Sequence, residues 1–240
     1  RGTDPGRMLK SAMRVFRSVK KDIKDKSVVL KPNMSFRNPA AWGNNTSPLV
    51  AAAVAQLCRE WGAKKLAAVD HTLGGGASAM RVCGVQPALE KVGNIQVIAA
   101  QKRPEYVRRT VKRGKALKTT EVSKVVAAGD FLINIPVVKQ HNATKISAGL
   151  KNLMGLIWDR RYFHSSINLH QGIADLATVI TPGLTVIDAT RVMVDNGPQG
   201  PGQVQKLNTM VVSTDPVAAD AVAVGLTQWK RQRLAPNDVE

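Results

Sequence analysis

Between Lys139 and Asn152 the chain places Lys139, His141, Asn142, Lys145, Lys151 and Asn152, with Gly149 among them and Gly155 just beyond. They follow "DFLINIPVV", residues 130–138, a segment that is almost wholly apolar. Ammonium groups, amides and an imidazole at the end of a buried strand suit the neutralising and orienting of an anion. A solvated loop would use the same residue types, so both readings stand at this point. The second half of the segment resists the solvated reading. "SAGLKNLMG" has Leu150, Leu153 and Met154 to bury, which sets Lys151 and Asn152 beside apolar side chains where an unpaired ammonium is costly. These lysines need a carboxylate or an anionic ligand as partner. A desolvated lysine also has a depressed pKa and can act as a base or nucleophile.

Other apolar segments end in the same way. "VVL" is followed by Lys31 and Asn33, "LAAV" by Asp70 and His71, "LTVI" by Asp188, and "MVVST" by Asp215. Ionisable residues after successive strands are the pattern of a parallel sheet whose carboxyl ends share one crevice. Each has a plainer reading: Asp215 is a good helix N-cap, and Asp70 and Asp188 suit caps or turns. A divalent metal held by Asp70, Asp188 and Asp215 is a further expectation, although closed metal shells need three or four ligands brought together. "HSSINLH" has the wrong spacing for two ligands on one helical turn, and "GGG" at 74–76 is neither a dinucleotide fingerprint nor a Walker loop.

The elements that would position these groups are legible in outline. Met8, Leu9, Ala12, Met13, Phe16 and Val19 share a helix face. Ser47-Pro48 opens a helix that runs to Trp61 and stops at Gly62. "SVVLKPN", "KLAAVD", "NIQVIAA", "YVRRTV", "DFLINIPVV", "LTVID" and "NTMVVST" read as strands. Thr120–Ala128 reads as a helix closed by Gly129, and Asp215-Pro216 opens the last helix. Apolar strands alternating with helices predict an α/β fold: a mostly parallel sheet flanked by helices, with a small basic antiparallel insertion at about residues 100–118. A single domain over residues 1–240 accommodates this.

The formal net charge of +18 is concentrated. Residues 1–37 hold 11 Lys and Arg against 3 acids, and residues 102–124 hold 9 against 2. Such patches suit an acidic partner or serve only solubility. Aromatic residues make up 4% of the chain, too few for the stacking platforms of single-strand binding, so nucleic acid is an unlikely partner. No apolar run reaches the roughly 18 residues of a membrane span. Cys58 and Cys83 have no CxxC spacing, so the chain's own cysteines cannot hold an iron–sulfur cluster, which usually needs four. The chain opens at Arg1 without a legible signal peptide. A trimmed, exported and periplasmic product fits that, and the compartment stays open.

The segments "VVLKPNMS", "LCREWGAKKLAAVDHT", "DFLINIPVVKQHNATKISAGLKNLMGLI", "NLHQGIADLATVITPGLTVIDATRVMVDNGPQGPG" and "VVSTDPVAADAVAV" together resemble the prokaryotic family catalogued as domain of unknown function 362. The likeness runs from about Lys26 to Gly225. It implies an α/β protein used near ferredoxin-type iron–sulfur modules, any cluster here belonging to a partner. It places Lys31, Asn33, Asp70, Lys139, His141, Lys151, Asn152, Asp188, Asn196, Asp215 and Asp220 on motif positions.

Two functional readings result. In the first, the chain binds an anionic small molecule in a redox-linked setting. Lys31, Lys139 and Lys151 hold the anion, and Asn33, Asn152 and Asn196 orient it. His141 moves protons because its ordinary pKa lies near neutrality. In the second, the chain is a non-catalytic interaction protein docking an acidic redox partner through its basic surface.

Overall fold

The computed structural model describes residues 1–238. Among these residues ten strands follow in chain order: β1 (Ser27–Pro32), β2 (Lys65–Asp70), β3 (Ile95–Ala99), β4 (Tyr106–Thr110), β5 (Thr119–Ser123), β6 (Phe131–Ile135), β7 (Lys139–His141), β8 (Lys145–Ser147), β9 (Leu184–Met193) and β10 (Val204–Ser213). The helices are α1 (Pro5–Ala12), α2 (Val19–Ile23), α3 (Pro48–Glu60), α4 (Ala77–Val82), α5 (Val85–Val92), α6 (Lys124–Ala127), α7 (Gly149–Asn152), α8 (Arg160–Ser165), α9 (Leu169–Ala177) and α10 (Pro216–Val224).

Six strands form one sheet in the order β10-β9-β6-β1-β2-β3. β3, β2, β1, β6 and β9 are parallel, and β10 returns antiparallel on β9. The chain lays β2 and β3 on one side of β1, then crosses to lay β6 and β9 on the other. The strand order therefore reverses between β1 and β6, the topological switch point where open α/β sheets bind ligands at their carboxyl ends.

The sequence of the central strands accounts for their place. β1 is buried from Val28 to Pro32 and β6 from Leu132 to Ile135, as expected of strands covered on both faces. Successive residues point to opposite faces. Leu30 and Ile133 accordingly pack with Val50, Val54 and Leu89 of α3 and α5. Val29 and Leu132 pack with Leu153, Leu156 and Leu176 on the other side. A third apolar cluster joins Ile187 and Ala189 of β9 to Ala219 and Ala223 of α10 and to Trp229.

The mostly parallel α/β architecture agrees with the sequence expectation, and the basic insertion is the β4–β5 antiparallel hairpin. Thr120–Ala128 is corrected: Thr119–Ser123 is a strand, and only Lys124–Ala127 is helical. Val122, Val125 and Val126 suit a helix face as well as a strand, and pairing Arg108 with Glu121 and Arg109 with Thr120 decides it. No helix of the described residues is long and apolar enough to cross a membrane.

Candidate functional site

Lys31, the fifth residue of β1, lies at the switch point with no exposed surface. Its Nζ stands 3.0 Å from Oδ1 of Asp70, the last residue of β2, which is equally enclosed. The same Nζ donates to the Pro32 carbonyl at 2.7 Å and to Asn152 Oδ1 at 3.2 Å. The second oxygen of Asp70 accepts the Met34 backbone N–H at 2.7 Å. Desolvation lowers the Lys31 pKa, and Asp70 opposes that shift.

Asn152 ties this pair to the neighbouring strand. Its Oδ1 also accepts from Asn33 Nδ2 at 3.0 Å, and its Nδ2 donates to the Lys31 carbonyl at 3.0 Å and to Asn134 Oδ1 at 2.8 Å. Asn134, on β6, donates in turn to the Gly149 carbonyl at 2.8 Å. The chain reaches this place through α7, whose first two backbone N–H groups are accepted by Asp220 of α10 at 2.6 and 2.9 Å. Burial pushes the Asp220 carboxyl up to about 6.

Gly155 lets the following turn settle on the Lys31–Asp70 pair. A Cβ there would lie 2.1 Å from Asp70 Oδ1 and 2.6 Å from Lys31 Cε. The Leu-Lys-Asn-Leu-Met-Gly run thus has a physical reading: an amide that bridges two strands, then a residue without a side chain above a buried ion pair.

Pro136 ends β6, and the β7–β8 hairpin carries Lys139 and His141 over the same edge. Lys139 is 2% exposed. Its Nζ donates to Asn33 Oδ1 at 3.3 Å and to the Asn44 carbonyl, and lies 4.8 Å from the Phe36 ring centroid. Desolvation, aided by the charges of Lys151 and Lys31, lowers its pKa to about 7. His141 Nδ1 accepts the backbone N–H groups of Ala143 and Thr144 at 3.1 and 3.3 Å, closing the hairpin turn. Burial and the neighbouring lysines push this imidazole down to about 3. It is therefore neutral near pH 7, with its hydrogen on Nε2, and its titration lies far from the neutrality that made it a proton-transfer candidate. His164 stacks on it with centroids 6.5 Å apart.

Beside this network opens a cavity of about 420 Å³. Lys139, Lys151, Arg160, Arg161, His141 and His164 line it, together with Asn33, Asn152, Ser35, Ser147, Phe36, Leu73, Met154, Gly155 and Pro198. No aspartate or glutamate is among these lining residues. Among the described residues the Met154 sulfur, at 3.6 Å, is the one hydrogen-bond partner of Lys151 Nζ. Desolvation, then the charge of Arg160, lowers its pKa to about 8. Arg160, from the start of α8, donates to the Thr72 carbonyl at 3.2 Å.

Six of the sequence-predicted residues thus meet: Lys31, Asn33, Lys139, His141, Lys151 and Asn152. Asp70 joins them as the counter-charge beneath. The other aspartates do not. Asp188 accepts the Ser47 N–H at 2.6 Å with one oxygen and the Thr190 N–H and hydroxyl at 2.9 and 2.6 Å with the other. Its oxygens are spent on starting α3 and holding β9. Asp215 follows an antiparallel strand, which carries it to the opposite end of the sheet, where it caps α10 through Val217 and Ala218. Among the described residues no group of three His, Cys, Asp or Glu is placed to hold a metal ion.

Asn196 is a loop former as well: it has φ of 46° and donates to the Pro201 carbonyl at 2.6 Å. Arg160, Asn134 and Phe36 were not foreseen as site members. Arg160 and Arg161, an adjacent basic pair soon after the Leu-Met-Gly turn, were the available signal. Cys58 and Cys83 are buried free thiols, pushed up to about 12 and about 11 by desolvation.

The fold is shared with solved proteins of low identity. The lactate racemase apoprotein of Thermoanaerobacterium thermosaccharolyticum superposes with a TM-score of 0.55 at 13% identity, covering 80% of this chain and 49% of that one. A Thermotoga maritima protein gives 0.52 at 11% identity, covering 91% and 58%. At such identities the likeness shows the fold alone. The thylakoid-associated protein sll1697 of Synechocystis sp. is 26% identical over 208 residues, 84% of this chain and 63% of that protein. The chain therefore spans less than two thirds of that relative's length. The family model described as domain of unknown function (DUF362) matches residues 28–225, from β1 to the end of α10 and across every residue of the cavity. The chain belongs to the DUF362 family.

Proposed function

We propose that the cavity at the β1–β6 switch point binds a small anion carrying a carboxylate or phosphate group. One observation carries this reading: Lys139, Lys151 and Arg160 line a cavity that has no acidic residue in its wall. The nearby Asp70 is committed to Lys31. Cations gathered in a partly desolvated space repel one another and are short of solvent. An anion would offset both effects, and Arg160 offers it a planar pair of donors. The neutral His141 adds an N–H donor without adding charge.

Isothermal titration of wild-type protein with phosphate, sulfate, pyruvate and lactate tests this. Lys151→Met and Arg160→Met each remove one charge-assisted hydrogen bond of about 1.5–3 kcal/mol, so each should weaken the bound anion by about 10- to 100-fold. Wild-type affinity retained in both variants, or no anion bound by the wild type, would refute the assignment.

A second reading concerns the β4–β5 hairpin, whose Arg108, Arg109, Lys112, Arg113, Lys115 and Lys118 are all exposed. We propose this as a docking face for an acidic redox protein. Exposed charges are screened beyond about 10 Å at about 0.1 M salt, so capture should fall steeply with salt. Reversal of Arg108, Arg109, Lys112 and Arg113 to glutamate should abolish it, and capture that survives the reversal would end the reading.

A further inference from the structure

We infer that Lys151 is a covalent nucleophile, forming a Schiff base with a carbonyl compound that carries a carboxylate or phosphate. This rests on the anion-binding reading and deepens it by assigning a reaction and a substrate class. Three lysines meet at the site, and their amines differ in what engages them. Lys31 Nζ faces Asp70 and donates to two further oxygens. Lys139 Nζ is held by Asn33 Oδ1 and the Asn44 carbonyl under the Phe36 ring. Lys151 lines the same cavity, and among the described residues its Nζ has a thioether sulfur at 3.6 Å as its one hydrogen-bond partner. A thioether is a weak acceptor, so little opposes loss of the Lys151 proton.

The surroundings favour that loss. Arg160 lines the same cavity and keeps its charge, and a desolvated lysine beside another cation is an activated nucleophile. Burial and Arg160 bring Lys151 down to about 8, so a substantial fraction is free amine at about pH 8. Arg160 supplies the cation for the substrate's acidic group and Lys139 a further N–H donor, which leaves Lys151 for the neighbouring carbonyl carbon. His141, with its hydrogen on Nε2, lines the wall as a neutral donor for the carbonyl oxygen.

The step balances without a further reagent. The amine nitrogen bonds to the carbonyl carbon, and a proton passes from nitrogen to oxygen to give a carbinolamine. The C–O bond then breaks, the hydroxyl leaves as water with one more proton, and a C=N bond forms. Nothing is oxidised or reduced.

Borohydride trapping followed by peptide mass spectrometry tests this on the whole chain, with phosphate titration of the wild type in parallel. Pyruvate probes the carboxylate source, dihydroxyacetone phosphate the phosphate source, and acetone a carbonyl without an anion. The expected product with pyruvate is an adduct on Lys151 whose added mass is that of pyruvic acid less one oxygen. Acetone should give at least about 10-fold less, since it forfeits the anion contacts. Adduct yield should rise between about pH 6.5 and pH 8.5 as the amine deprotonates, and phosphate should suppress it. Lys151→Arg should lose the adduct while thermal unfolding shows it folded. Phosphate binding with no Lys151 adduct from either anionic probe overturns this inference and leaves the anion reading intact. Adducts scattered over exposed lysines, or undiminished with acetone, also overturn it. Failure of phosphate, pyruvate and dihydroxyacetone phosphate alike to bind overturns both.

Discussion

Asp70→Asn is the most informative single change in the buried network. It keeps the side chain's shape and an acceptor for the Met34 N–H, while removing the charge 3.0 Å from Lys31 Nζ. The attraction across that distance is about 5 kcal/mol at an effective dielectric constant near 20. Breaking one side of a buried pair typically costs about 3–5 kcal/mol, since an uncompensated charge stays behind. Lys31 can limit the loss by shedding its proton. Its folded pKa is already lowered by burial, and removing Asp70 lowers it further. Because the unfolded chain keeps the proton until about pH 10.4, the variant's deficit should shrink as pH rises from about 7 to 9.5.

Lys31→Met with Asp70→Asn removes both charges and leaves mainly the Pro32 carbonyl short of a donor. That combination should cost about 1–3 kcal/mol, less than the sum of the single changes. The assay is urea unfolding of the four proteins at about pH 7 and pH 9.5. With a slope near 2–3 kcal/mol per molar urea, Asp70→Asn should lower the midpoint by about 1–2 M. Additive single effects, or a deficit unchanged by pH, would refute the claim that the ion pair organises this end of the sheet.

Two further outcomes follow from the packing and the titrating groups. Gly155→Ala would press a methyl into Asp70 and Lys31, and should destabilise by about 3 kcal/mol or more, read as a urea-midpoint shift of about 1 M. His141 has a folded pKa near 3 against about 6.5 when unfolded. Between those values the unfolded chain binds a proton that the folded one refuses. Stability should therefore fall as pH drops below about 6.5, at up to about 1.4 kcal/mol per pH unit, and His141→Gln should flatten that slope.

How much of this was legible depends on which force places each residue. Lys31, Asn33, Lys139 and His141 were legible because each follows an apolar run that can only be a buried strand, and parallel strands share one carboxyl edge. Lys151 and Asn152 were legible from a different conflict, polar groups enclosed by Leu150, Leu153 and Met154. Asp215 misled for a reason of direction. "NTMVVST" reads as a strand either way round, and nothing local reveals that β10 runs against β9. Asp188 does stand on the correct strand, but Ser47 and Thr190, remote from it or beside it, consume its oxygens. Asn196 shares a polar loop with the family's glycines and prolines, and its own turn satisfies it. Arg160 gave no periodic signal because α8 is six residues long and only its Phe163 is buried. Its place in the cavity comes from the Gly155 turn, which the sequence shows only as a glycine.

The central claim is that an anion neutralises a cluster of partly deprotonated cations, and proton uptake on binding reports it most directly. Lys139 and Lys151 titrate near 7 and 8, so at about pH 8 much of this pair is neutral and a bound anion should draw protons back. Sulfate titrated at about pH 8 in buffers of different ionisation enthalpy should show uptake of roughly one proton, vanishing near pH 6 where both lysines already carry theirs. Binding at about pH 8 with no uptake, or uptake undiminished in a Lys139→Met, Lys151→Met double variant, would contradict the account.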